Sequence, residues 1–175
     1  MNEVLKNIKE RRSVRRFKPE LPARELLEQI AEAGIYAASG RGQQATETIV
    51  VTNPAMREKI VEANRKIGGW DKGFDPFYGA PAILVVLFDK SCRTWIYDGS
   101  LVMGNMMLAA HSLGLGSIWI HRAKEEFEGD AFKTWLADLG IKGEWEGVGH
   151  LAVGYADGSV PPAAERKPGR IVWVE

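Results

Sequence analysis

Cysteine is nearly absent: the 175 residues include only Cys92, so no disulfide can form within the chain and no thiolate cage can hold zinc. Histidine is scarce as well. His111, His121 and His150 lie far apart, no carboxylate sits at metal-ligand spacing beside them, and no metal is expected. Charge of one sign is not in excess either. Lys plus Arg and Asp plus Glu both number 23, which gives no general attraction to nucleic acid or to an anionic membrane, so any anion site must be local. No G-x-S-x-G turn offers a strained serine nucleophile. The charged amphipathic start (Asn2, Glu3, Lys6, Lys9) lacks the apolar core of a secretory signal, and no later run is apolar for long enough to span a bilayer. A soluble, cytoplasmic protein is the expectation.

What is present is a chain that is 45% hydrophobic, enough to bury one sizeable core, and residues 1–175 are expected to form a single domain. Val4, Leu5 and Ile8 share one face of a short first helix. Leu26, Leu27, Ile30, Ala33 and Ala37 recur at helical spacing over 23–38, where Gly40 and Gly42 stop the pattern. Residues 48–52 read as a β-branched strand, and Asn53-Pro54 opens a helix carrying Ile60 and Ile67. Glycines and Pro76 then make a loop around Trp70, Phe74 and Phe77, which predicts a mobile lid.

Residues 82–88 are apolar throughout, as in a central strand buried on both faces. Residues 97–113 form a helix that is apolar nearly all round and so internal to an assembly; Met103, Met106 and Met107 read as dimer core. A third strand over 116–120, a helix over 127–139 and a fourth strand over 148–155 follow. The tail Ile171-Val-Trp-Val174 is strand-prone and comes after Pro161-Pro162, an arrangement suited to crossing to another subunit. The fold class is α+β, with a mixed four- or five-stranded sheet flanked by helices.

Arg11, Arg12, Arg15 and Arg16 around Ser13 put several guanidinium groups and a hydroxyl at a helix end, an array suited to gripping a phosphate. A basic edge that merely faces water is the alternative. Gly114-Leu-Gly116 is not a dinucleotide fingerprint: it ends a helix and precedes a strand, and Trp119 occupies the third glycine's place. A helix cap explains it better.

Four segments taken in order resemble the nitroreductase family: Arg11-Arg-Ser-Val-Arg15, Ala37-Ala-Ser-Gly-Arg-Gly-Gln-Gln44, Gly114-Leu-Gly-Ser-Ile-Trp-Ile120 and Arg166-Lys-Pro168. The resemblance implies an FMN-dependent oxidoreductase working as an intertwined homodimer, with the C-terminal strand exchanged between subunits. By the same resemblance Arg11 meets the FMN phosphate, Arg12 and Ser13 the ribityl chain and ring edge, and Arg15 the N1/O2 side. Negative charge gathers on that side when hydride reaches N5, so a cation there has a physical purpose.

Ala38, Ser39, Gly40 and Gln44 would reach over the flavin of the other subunit. Gly42 and Ala45 replace the family's Asn and Pro, which predicts a looser loop. Trp119 and Ile120 would lie against one flavin face, and the His121 N–H would approach N5. Whether His121 also donates a proton to substrate stays open. Arg166 is the late basic residue expected on the phosphate, with Lys167 weaker.

The implied reaction is ping-pong: NAD(P)H and then an organic acceptor such as a nitroaromatic or quinone visit each flavin in turn. One alternative is a flavin-handling protein of the same fold without NAD(P)H turnover. An alternative of another class is a non-enzymatic anion- or nucleotide-binding module built on Arg11–Arg16 and Arg166.

Overall fold

The computed structural model describes residues 1–175, the side chain of Trp95 excepted. Six helices surround one sheet: α1 (Glu3–Glu10), α2 (Arg24–Ile35), α3 (Pro54–Ile67), α4 (Trp95–Ser112), α5 (Ala123–Glu128) and α6 (Asp130–Asp138). The strands are β1 (Thr46–Val51), β2 (Ala82–Asp89), β3 (Gly116–Ile120) and β4 (Trp145–Gly154), arranged β1-β2-β4-β3. All three pairings are antiparallel. The mixed character expected of the sheet is limited, among the described residues, to one parallel bridge between Ser13 and Ser117 at the free edge of β3.

Local signals set most boundaries. The side chain of Asn2 accepts from Leu5 N at 2.9 Å to cap α1, and Asn53 accepts from Met56 N at 3.0 Å to cap α3, with Pro54 in the first turn. Gly114 takes φ +76° after α4, and Leu115 N donates back to Ala110 O at 2.8 Å. This closes the helix with a left-handed glycine, as read from the sequence.

The run 82–88 is buried on both faces and divides the core. On one side Ile83, Val85, Leu87, Ile118, Ile120 and Phe127 pack under α3, α5 and α6. On the other, Leu84, Val86, Leu151 and Val153 pack against Leu27 and Ile30 of α2 and Met103 and Met106 of α4. Met103 and Met106 therefore fill the chain's own core, which corrects their reading as dimer core.

The helix expected over 127–139 is two helices. Gly129 is extended (φ −79°, ψ 144°), ends α5 and starts α6, and α5 itself begins as early as Ala123. In β4 a register shift between Val86 and Leu87 leaves Val148 unpaired between Gly147 and Gly149. The bulge turns Val148 toward Gly99 of α4 and Gly147 toward Ala123 of α5, so strand and helix backbones meet closely there. Among the described residues no helix is long and apolar enough to cross a membrane.

The tail from 157 onward adds no strand to this sheet, and Ile171 and Trp173 are 80% and 81% exposed.

Candidate functional site

The basic segment leaves α1 and runs along the exposed edge of β3. Val14 N donates to Ser117 O at 3.1 Å, and Lys18 N to Tyr155 O at 2.9 Å, so residues 13–18 are strung between β3 and the end of β4. Arg16 is taken: its Nε lies 2.8 Å from Asp157 Oδ2. Arg11, Arg12 and Arg15 form no ion pair among the described residues.

Arg12 Nη1 donates to the Arg11 carbonyl, while Arg11 Nη1 and Arg12 Nε are buried with no hydrogen-bond partner. Burial and then the neighbouring Arg12 charge push the Arg11 pKa below its usual value. Two half-buried like charges with unsatisfied donors suit the binding of an anion. Ser13 and Arg15 line an adjoining cavity of about 230 Å³ with Asp157, Ser159 and Pro161.

The loop after α2 lies in a different cavity, of about 160 Å³, to which Ala38, Ser39 and Gln44 contribute beside Asp98 and Val102. Within one chain it does not join the Arg11–Arg15 cluster in a common cavity. Gly40 N donates to both oxygens of the buried Asp98 carboxylate at 3.2 and 3.1 Å, Asp98 accepts from Thr94 Oγ1 at 2.8 Å, and Gln44 N donates to Ser39 Oγ at 3.1 Å. Gly42 sits at φ +66°, a conformation that glycine adopts without strain.

Trp119 and Ile120 end β3, and His121 follows, exposed, with its ring 5.8 Å from that of Trp119. Arg122 adopts φ +80° and lays its guanidinium 4.4 Å over the Trp70 ring. His121 is thus placed at the surface beside an aromatic and cationic shelf of Trp70, Phe74 and Arg122. Arg166 lies on the exposed tail without a hydrogen bond or ion pair among the described residues.

The loop over 68–80 is anchored at both shoulders. Arg57 Nη2 lies 2.6 Å from Asp75 Oδ2, and its Nε donates to Ala80 O at 2.6 Å, while Asp75 also accepts from Phe77 N and Gly79 N. Arg65 holds the other shoulder through Trp70 O at 3.0 Å. Residues 71–74 at the apex are exposed, as are Gly69 and Gly79, while Pro76, Phe77 and Ala80 are buried. Arg57→Ala should leave the loop's polar groups unsatisfied and lower the melting temperature by several degrees, for a loss of about 1–3 kcal/mol. Faster amide exchange across 71–79 would accompany it, and unchanged exchange there would show that the clamp is dispensable.

Sequence reading passed over Asn64 and Glu126, which join His150 in a buried polar cluster behind His121. Asn64 Nδ2 donates to the His121 carbonyl at 2.8 Å and to Glu126 Oε1 at 2.7 Å. Glu126 lies 24 positions before His150, too far for any local spacing rule, yet its Oε2 comes within 2.9 Å of His150 Nε2. No group suited to a metal ion occurs among the described residues.

The sequence matches the nitroreductase family over residues 8–155. The chain belongs to the nitroreductase family. A curated protein of Methanothermobacter thermautotrophicus, provisionally named an NADH dehydrogenase/NAD(P)H nitroreductase, is 34% identical over 133 residues, covering 73% of this chain and 66% of that protein. The chain therefore spans just under two thirds of that relative's length.

Among solved structures, a nitroreductase with bound FMN from Bacteroides fragilis superposes with TM-score 0.89 at 29% identity, covering all of both chains. A nitroreductase with bound FMN from Desulfitobacterium hafniense gives TM-score 0.88 at 32% identity, again over all of both chains. The nitroreductase fold is thus shared along the whole length, from the Arg11–Arg15 segment to the tail.

Proposed function

We propose that this nitroreductase-family chain is an FMN-dependent oxidoreductase, a single domain working as a cytoplasmic homodimer. The observation that carries the proposal is the pair of partnerless guanidinium atoms at Arg11 and Arg12, in a family whose similar solved members hold FMN. A half-buried cationic pair without a carboxylate fits an anionic cofactor such as a flavin mononucleotide. When bound, FMN supplies the redox chemistry, accepting hydride from NAD(P)H and passing it to an organic acceptor such as a nitroaromatic or quinone.

The chain's own residues bind and orient. Arg11 holds the phosphate, with Arg166 of the tail as a further cation, and Arg12 and Ser13 meet the ribityl chain and ring edge. Arg15 supplies positive charge where the reduced ring is electron-rich. Trp119 and Ile120 shield one ring face from water, and the His121 N–H offers a donor at N5. Ala38, Ser39, Gly40 and Gln44, held by Asp98, cover the other subunit's flavin.

The dimer reading draws on apolar surface that the single chain leaves open. Val4, Leu5 and Ile8 of α1, Tyr97 and Leu101 of α4 and the 171–174 tail are all exposed. Asn7 Nδ2 donates to Leu108 O at 3.0 Å, which ties α1 to α4. Burying such a surface against a twin is favourable by roughly 25 cal/mol per Å².

The test is an initial-rate study of the FMN-reconstituted protein at varied NAD(P)H and quinone. Parallel double-reciprocal lines and a dimer-sized mass support two alternating half-reactions in a dimer. Intersecting lines would contradict the alternation, and a monomeric mass with full activity would contradict the shared site.

A further inference from the structure

The Asn64–Glu126–His150 cluster has no part in the chemistry just described, yet it is enclosed by α3, α5 and β4. Asn64 and His150 are 0% exposed and Glu126 is 2% exposed. The polar groups are not fully satisfied: Asn64 Oδ1 and His150 Nδ1 have no partner, and the 2.9 Å contact between Glu126 and His150 has ion-pair distance without hydrogen-bond alignment. Polar groups in such a place are costly, and apolar side chains of the same size would serve the core as well or better. Their value must lie in what they hold.

Among the described contacts, the side-chain hydrogen bond leaving the cluster runs from Asn64 Nδ2 to the His121 carbonyl. That carbonyl belongs to the peptide entering Arg122, whose φ of +80° is unfavourable for a residue with a Cβ. The turn is held from two sides: Asn64 grips the carbonyl from within, and the Arg122 guanidinium rests on Trp70 outside. Glu126 fixes the Asn64 amide by accepting from the same Nδ2, and His150 faces the second oxygen of that carboxylate.

We infer that Asn64, Glu126 and His150 are positioning residues that lock the His121–Arg122 turn and thereby aim the His121 N–H at the flavin. The inference rests on the FMN reading above. An N–H aimed at N5 serves the oxidised ring, whose N5 has a free lone pair, and loses that role once N5 carries hydrogen. Loosening the turn should therefore weaken oxidised FMN more than reduced FMN.

The experiment measures FMN affinity, FMN midpoint potential and melting temperature in the holoprotein for Asn64→Leu, for Asn64→Leu/Glu126→Met and for Glu126→Gln. The expected result for both Asn64 variants is a loss of about tenfold in the preference for oxidised over reduced FMN, read as a potential about 30 mV higher. Glu126→Gln keeps an acceptor for Asn64 and should stay near the unaltered potential. If Asn64→Leu alone does not fold, the double variant, in which no buried carboxylate is stranded, carries the measurement.

A merely structural cluster would lower the melting temperature and leave the potential and affinity unchanged in the folded variants, and that result would overturn the inference alone. Failure of the unaltered protein to bind FMN would remove the functional reading and this inference together.

Discussion

Replacing Arg11 and Arg12 together with alanine should lower FMN affinity by at least two orders of magnitude while leaving the apoprotein as stable as before, or more so. The first half follows from charge-assisted hydrogen bonds, each contributing about 1.5–3 kcal/mol, so that loss of both guanidinium groups removes a factor of roughly 100 or more. The second half follows from the burial of the guanidinium groups themselves. Arg11 Nη1 and Arg12 Nε are buried without partners, and burial followed by the Arg12 charge lowers the Arg11 pKa.

A base whose folded pKa is lowered opposes folding while it is charged. Arginine stays charged at every working pH, so this cost is constant near neutrality and is relieved only far in the alkaline range or by an anion. Inorganic phosphate should accordingly raise the melting temperature of the unaltered apoprotein and leave that of the double variant unmoved. Equal stabilisation of both by phosphate would place the anion site elsewhere.

Gly147→Ala is expected to be the most damaging single methyl group in the chain. A Cβ at Gly147 would overlap the carbonyl carbon and oxygen of Ala123, and both groups are backbone, so no side-chain rotation relieves the clash. Overpacking costs about 1–3 kcal/mol where side chains can yield, and a clash between backbones belongs at or above the top of that range. In a chain of this size about 3 kcal/mol lowers the melting temperature by roughly 6–12 °C.

The consequence reaches the site, because α5 starts at Ala123, directly after the Arg122 turn. FMN affinity should fall along with stability. A melting temperature within 2 °C of the unaltered protein, on the order of measurement scatter, would mean that β4 and α5 can separate freely.

The sequence made legible whatever is written locally. An apolar run at 82–88 can only be a strand with both faces covered, Asn53-Pro54 announces a helix start, and Gly114 announces a helix end; each is found in place. The Arg11–Arg15 cluster was visible as a local basic run, but a run of this kind also suits a water-facing edge, and only its place in the order of four segments favoured a phosphate. Features that depend on partners distant in sequence were not readable. The Val148 bulge exists because β4 must satisfy α4 and α5 at once, and no periodicity in 145–154 expresses that.

Glu126 sits in an acidic stretch with Glu125 and Glu128 and reads as another surface charge, until α5 turns it toward Asn64 and His150. Likewise Gly129, a modest sign in an apparently continuous helical pattern, divides that pattern in two by adopting an extended conformation. The tie that holds Gly40 was likewise unreadable, since its partner Asp98 lies 58 positions away.

The most direct measurement is the visible spectrum of the FMN-loaded protein under anaerobic conditions, first with NADH or NADPH and then with a quinone or nitroaromatic. An FMN-dependent oxidoreductase should show flavin bands that bleach with the nicotinamide and return with the acceptor. Bands that persist with both nicotinamides would contradict the oxidoreductase and point to flavin handling, and a protein that takes up no FMN would contradict the cofactor itself.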